Sequence, residues 1–433
     1  MKKRNSKFWL ALTIFSLVGQ IAWVIENMYF NVFIYKIFRA GPEDISIMVA
    51  ASAIAATVTT LLIGALSDKV GKRKLFICGG YIIWGISIWS FSLIRTDVIE
   101  SLFPGVASAA AVGVSLVIVM DCVMTFFGSS ANDACFNAWL TDMTDETNRG
   151  AAEGINAMMP LLAVLVVFGG FMGFDLNLSD SWITIFNIIG IAVTAIGVLG
   201  IFIIDDPVVK TEGNQNYFAN IFYGFRPGVI RFNKALYGAF AAVALFNIAI
   251  QIYMPYLILY YNVSLGMEDY VLVMAPAIIL AAAFTAFYGR VYDRHGFQKA
   301  VIPTVLLLMA GVLMLYFCRG KLLVFVGSLL MMCGNLGGGA ILGAVIRDRT
   351  PANRSGIFQG LRICSQVLIP GVVGPAIGAA VLKNADTILN DDGTTSFIPN
   401  ENIFLAAFFA ALLSWVVLIP LFRLLKRKEV QHG

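Results

Sequence analysis

Charge is scarce in this chain. Only 13% of its 433 residues are Asp, Glu, Lys or Arg, about half the share of an ordinary globular protein. A water-facing surface of normal polarity cannot be built from so few charges. Histidine is nearly absent, with His295 in a loop and His432 near the end. That leaves little for imidazole-based acid–base or metal chemistry. The six cysteines, Cys78, Cys122, Cys135, Cys318, Cys333 and Cys364, lie in or beside apolar runs without metal-ligand spacing. They read as small buried hydrophobes, and no metal site is expected. The P-loop pattern is missing too, so the glycine-rich stretches do not mark a phosphate cradle.

What is there instead is oil. Apolar residues make up 59% of the chain and its mean hydropathy is +0.82. Runs long enough to cross a bilayer occur near 8–36, 45–67, 75–95, 106–141, 150–173, 181–204, 235–262, 269–290, 299–317, 322–346, 355–382 and 401–424. The fold class is therefore an all-α polytopic membrane protein with twelve transmembrane helices. The first run is too long for a signal-peptide core and carries Glu26, so it is expected to be retained. With the N-terminus inside, 23 of the 30 basic residues fall in cytoplasmic segments. The positive-inside rule then places both termini in the cytoplasm, in a cell (cytoplasmic) membrane. The net charge of +4 reflects this sorting, and no nucleic-acid partner is expected.

The longest polar connection, 205–234, separates an N-terminal six-helix half (1–204) from a C-terminal one (235–433). Its aromatic middle, YFANIFYGF, suits either an interfacial helix or a plain tether. The loop 383–400 is acidic and expected to be loose.

Two internal repeats support the division. GALSDKVGKRK at 64–74 recurs in GRVYDRHGFQK at 289–299, after the second run of each half. DMTDETNRGAAEG (142–154) pairs with DRTPANRSGIFQG (348–360), between the fourth and fifth runs. Both repeats fall on one side of the membrane, so the halves are parallel copies. The first stretch, through Gly64, Leu66, Ser67, Asp68, Lys69, Gly71, Lys72 and Arg73, resembles the signature of the major facilitator superfamily.

Within that superfamily the chain is most similar to the glycoside–pentoside–hexuronide:cation symporters and the sucrose:proton symporters. NDACFNAWLTDMT (132–144) and the NRG…EG entry to the fifth span carry this likeness. The resemblance implies a twelve-helix transporter working by alternating access. It also implies that Gly64, Asp68, Gly71 and Arg73, with their copies Gly289, Asp293, Arg294 and Gly296, belong to a gate. Asp68 sits at a helix C-terminus, where an anion is disfavoured. It is expected to meet a neighbouring helix N-terminus near Ser355 or a basic residue beside it. The second span reads SAIAATVTTLLIG, without the paired aspartates of sodium-coupled relatives, which makes a proton the expected coupling ion. No other cofactor is expected.

An ionisable group inside a span costs roughly 2.5–3.5 kcal/mol on insertion scales, so each one needs a reason. Glu26 lies in GQIAWVIENMYFN, where Gln20, Trp23, Asn27, Phe30 and Asn31 recur at three- and four-residue steps. An aromatic ring beside amides suits a sugar, with its apolar C–H face and rim of hydroxyls. A polar seam between helices is the alternative. Asp133 is nine residues from Asp142, roughly 13 Å along a helix. It is expected to be the proton-coupling acid, a role the resemblance assigns to this region, or else the permanent member of a salt bridge. Asp121, twelve residues earlier, is the runner-up. Arg362, at similar depth, requires a carboxylate, with Asp133 or Glu153 as candidates.

Asn137 lies one turn from Asp133. Asn247, Gln251 and Tyr256 on the seventh span make a second wall for the solute, although the tyrosines there also fit an interfacial belt. GNLGGGAILG (334–343) and GVVGPAIG (371–378) read as packing and gating elements. These residues point to a monomeric proton-coupled symporter of a small polar solute, a sugar or glycoside, in the lipid bilayer. A proton-driven exporter of amphipathic compounds and a non-transporting sensor of the same shape are the rivals. An enzyme is not expected.

Overall fold

The computed structural model describes residues 2–105, 108–144, 148–205, 226–350, 355–390 and 393–432. The chain divides into two compact units. Met1–Gln215 with Leu389–Ser396 forms the N-half, and Asn216–Ile388 with Phe397–Gly433 forms the C-half. The middle of the 205–234 connection, with its aromatic stretch, lies outside the described residues.

Among the described residues, eleven helices are long and apolar enough to cross a membrane. In the N-half these are α1 (Ser6–Phe38), α2 (Pro42–Ser67), α3 (Arg73–Leu93), α4 (Ala109–Met143), α5 (Ala151–Phe171) and α6 (Ser179–Ile203). The C-half holds α7 (Lys234–Ser264), then one 48-residue helix, Tyr270–Phe317. At 1.5 Å per residue it would run roughly 72 Å, more than twice a hydrocarbon core of about 30 Å. Gly296, at φ +78° and ψ 175°, breaks it into α8 (270–295) and α9 (297–317). After these come α10 (Lys321–Arg349), α11 (Gly360–Leu382) and α12 (Asn402–Leu425). The twelve expected crossings are thus present, with α8 and α9 joined directly at one glycine. The loop expected to be loose carries two three-residue strands, Thr387–Leu389 and Thr395–Phe397.

Local chemistry sets the ends. Pro42 stands in the first turn of α2 with Glu43 and Asp44 beside it, and Asp44 Oδ2 accepts the Gly41 N–H at 2.8 Å. Acidic residues favour a helix N-terminus, and proline tolerates its missing donor there. The helix through α2 stops at Gly71, φ +68°, whose N–H returns to Ser67 O at 2.9 Å. A left-handed closing residue is cheap only for glycine. Gly71 and Gly296 are the same position of the repeat, so the repeated glycine is a backbone reversal in both copies.

Helices within each half approach closely over small residues. A Cβ on Gly85 would sit 2.3 Å from Thr194 Oγ1, joining α3 to α6. In the C-half a Cβ on Gly334 would lie 2.2 Å from Leu308 N, and one on Gly374 would lie 2.5 Å from the Gln251 Cβ. The glycine-rich segments of α10 and α11 are packing surfaces, as expected.

Among the described residues four crossings contain π-helical turns: Ile25–Tyr29 in α1, Ser129–Phe136 in α4, Tyr260–Ser264 in α7 and Cys364–Leu368 in α11. A π turn loosens the backbone ladder and often marks a functional site. Side-chain amides answer the carbonyls there. Asn137 Nδ2 donates to Asp133 O at 3.1 Å and Asn132 O at 3.3 Å. Asn247 Nδ2 donates to Gln366 O at 3.2 Å.

Candidate functional site

The polar interior of the N-half gathers on α1, α2, α3 and α4. Asp121, Thr125, Ser129 and Asp133 follow one another at intervals of four on α4. Fourfold spacing drifts slowly around an α-helix, and the π turn from Ser129 slows it further, so all four share a face. Ser129 Oγ donates to Asp133 Oδ2 at 3.0 Å, and Asn132 Nδ2 lies 3.3 Å from Asp133 Oδ1. The Trp23 indole N–H on α1 is buried without a hydrogen-bond partner. Tyr81, fully buried on α3, places its hydroxyl 2.9 Å from Phe15 O and 3.0 Å from Asn132 Oδ1. Asp133 is half-buried, and among the described residues no Lys or Arg forms an ion pair with it.

The expected stripe on α1 divides. Gln20 and Trp23 are half-buried and Asn27 is exposed, but Phe30 is fully buried against Phe91 and Phe186. Asn27 Nδ2 donates to Trp23 O and Asn31 Nδ2 to Asn27 O, so each amide gives one hydrogen bond to its own helix. Glu26 departs furthest from expectation. The π turn at Ile25–Tyr29 swings it off the Trp23–Asn27 face and into the half, where it is 6% exposed. Its Oε1 accepts from Ser52 Oγ at 2.6 Å and Thr125 Oγ1 at 2.9 Å. Sequence reasoning missed Ser52 and Thr125; the four-residue interval from Asp121 to Asp133 was the available signal.

In the C-half, Gln251 is half-buried on α7. Tyr256 is a correction: it is 0% exposed, and its hydroxyl lies 3.4 Å from Pro375 O. Pro255 turns the chain into a short 3₁₀ segment, Met254–Tyr256, which carries that ring into the packing with α11. Arg362 Nε donates to Gln366 Oε1 at 3.1 Å, one turn along the same helix. Glu153 is exposed on α5.

At the repeated motif, the Asp68 side chain lies outside the described residues. Arg73 is buried there. Its Nε meets Asp142 Oδ2 at 3.1 Å and its Nη1 donates to Ser67 Oγ at 2.5 Å. This ties the end of α2 to the end of α4 through the start of α3. In the second copy Tyr292 replaces Ser67 and donates directly to Asp348 Oδ2, while Asp293 and Arg294 are exposed. The two copies make one connection with different chemistry. Among the described residues no cluster of His, Cys, Asp and Glu is arranged to hold a metal.

No curated protein matches the chain. Several solved structures share its fold. The nucleoside transporter NupG superimposes with a TM-score of 0.68 at 14% identity, covering 95% of this chain and 98% of that one. A bacterial homolog of the human lysosomal transporter Spinster, inward-facing and occupied, gives 0.69 at 15%, with 98% of each chain covered. A D-xylose-proton symporter gives 0.72 at 14%, covering 95% and 97%. The model of the Major Facilitator Superfamily matches residues 8–375. The chain therefore belongs to the Major Facilitator Superfamily: it is an integral membrane secondary transporter and not an enzyme.

Proposed function

We propose that the protein is a proton-coupled symporter of a sugar or glycoside, working by alternating access in the cell membrane with both termini cytoplasmic. The observation that carries this reading is Asp133. It is a half-buried acid in the π turn of α4, held by a hydroxyl and an amide, with no ion-pair partner among the described residues. A carboxyl so placed can take a proton in one state and release it in another. Trp23, Gln20 and Asn27 on α1, with Asn137 on α4, supply a ring and amides for hydroxyl groups, and Asn247 and Gln251 do so in the C-half. The similarity to a D-xylose-proton symporter and a nucleoside transporter supports a small polar solute. Coupling rests first on Asp133, with Asp121 as runner-up and Arg362 and Glu153 as further coupling residues.

The test is transport into liposomes. Asp133→Asn is expected to abolish uphill sugar accumulation while sparing counterflow exchange. Normal accumulation by Asp133→Asn removes Asp133 from the coupling role. Absence of any sugar exchange by the unmodified protein, with no pH change on sugar addition, removes the symporter reading.

A further inference from the structure

A buried amide and a buried phenol stand behind the acid of α4. Asn132, 4% exposed, directs Nδ2 to Asp133 Oδ1 at 3.3 Å, and its Oδ1 lies 3.0 Å from the Tyr81 hydroxyl. That hydroxyl also reaches Phe15 O at 2.9 Å. A phenol has a single hydrogen to donate. Phe15 O lies inside the unbroken helix Lys2–Val24, where the N–H four residues on is its donor. Asn132 Oδ1 has no helix to supply one, so the Tyr81 hydrogen belongs there. This fixes the amide. A carboxamide offers an acceptor on one side and a donor on the other, and turning it over exchanges them. With Tyr81 donating to Oδ1, Nδ2 faces Asp133, and an ionised carboxylate only accepts. Gly19 on α1 makes the meeting possible: a Cβ there would stand 2.6 Å from both Asn132 Oδ1 and the Tyr81 hydroxyl.

We propose that Asn132 and Tyr81 are positioning residues for the coupling acid: Tyr81 orients the Asn132 amide, and Asn132 steadies the ionised form of Asp133. Ser129 Oγ serves Asp133 Oδ2 and Asn132 Nδ2 serves Oδ1, so each oxygen has a donor from α4 itself. Of the two, only the amide is steered from other helices, by the phenol of α3 and the bare backbone of α1 at Gly19. Sliding of α1 or α3 against α4 therefore releases the amide, and with it the hold of Asp133 on its charge.

The π turn of α4 packs against α1, α2 and α3. Between their ends, α1 brings Glu26 and Tyr29 and α3 brings Cys78 and Tyr81, while α2 has no titratable side chain between Ile45 and Ser67. α4 itself adds Asp121, Cys122 and Cys135. None of these is a cation, so the donors to Asp133 are what favours its charge. The assignment rests on the proton-coupled reading above, in which Asp133 is the acid, but it is tested without any solute.

The experiment is an infrared pH titration of the purified full-length protein, following the protonated-carboxyl stretch that Asp133→Asn removes. Loss of a donor to the ionised acid lets it take its proton at higher pH. Asn132→Leu should move the midpoint of that band upward by about one pH unit, the worth of one hydrogen bond to a charged group. Tyr81→Phe should move it the same way, and Gly19→Ala, which parts the two oxygens, should do likewise. Because Tyr81 acts through Asn132, Tyr81→Phe added to Asn132→Leu should shift the midpoint no further. Should Asn132→Leu fail to fold, Asn132→Ser takes its place. A purely structural role would lower the melting temperature of these variants and leave the midpoint where it is. The assignment is overturned if Tyr81→Phe leaves the midpoint unchanged, or if the double variant shifts it by the sum of the single effects. The two readings fail separately. If Asp133→Asn removes no band at any pH, Asp133 is not the coupling acid and the positioning role goes with it. If Asp133→Asn removes the band and Tyr81→Phe does not move it, the positioning role alone is lost.

Discussion

Removing either member of the Arg73–Asp142 pair breaks the same contact, yet the two removals should cost different amounts. The Arg73 side chain is 5% exposed and that of Asp142 is 29% exposed. Asp142→Ala takes the carboxylate from a guanidinium that cannot reach water. Breaking a buried pair in this direction costs about 3–5 kcal/mol, and the lower figure applies because Asp142 is partly solvated. Arg73→Ala leaves an aspartate that can turn to solvent, so the lost pair costs about 1 kcal/mol or less. The difference of about 2 kcal/mol corresponds to roughly a 30-fold change in the open population. Cys78, 4% exposed on α3 and five residues beyond Arg73, reports on that opening. With Cys78 as the sole cysteine, its maleimide labelling rate should be about 30-fold faster in Asp142→Ala than in Arg73→Ala. Equal rates, or faster labelling in Arg73→Ala, would refute the reasoning that burial of the cation controls the cost.

Two further outcomes are expected. Gly334→Ala places a methyl where Leu308 N stands 2.2 Å away, and should lower the thermal stability of the protein by about 1–3 kcal/mol through overpacking. The neighbouring Gly339, with nothing within 4 Å of its Cβ position, should accept alanine without loss. Tyr292→Phe removes the donor to Asp348 at about 1 kcal/mol. Faster hydrogen exchange at the end of α8, with α2 and α3 unchanged, would be its signature.

The crossings were legible in the sequence because lipid demands apolar length, and length is directly countable. Even the α8–α9 break was marked, since GRVYDRHGFQK repeats a stretch whose glycine closes the helix through α2. The site was legible by residue type more than by direction. Asp133 and Asn137 lie near one another on α4, as their spacing required. Glu26 and Phe30 could not be oriented from periodicity, because the π turn between Ile25 and Tyr29 changes the angle on which helical stripes are drawn. Tyr256 was misplaced for a related reason, the 3₁₀ turn at Pro255. The Arg73–Asp142 tie joins residues 69 positions apart, a distance across which a charge pattern carries no partner information.

The π turns have a mechanical consequence. Such a turn holds one more residue than an α turn, so it is a unit of slack stored in an otherwise taut rod. If the slack moves along the helix by one residue, the segment it passes rotates by roughly 100° and shifts by about 1.5 Å. No hydrogen-bonded rod need be broken to do this; the wide turn only changes place. In α1 and α4 that slack sits at Glu26 and Asp133. These two acids can therefore be re-aimed by a local winding of their own helices, at the scale of a single turn.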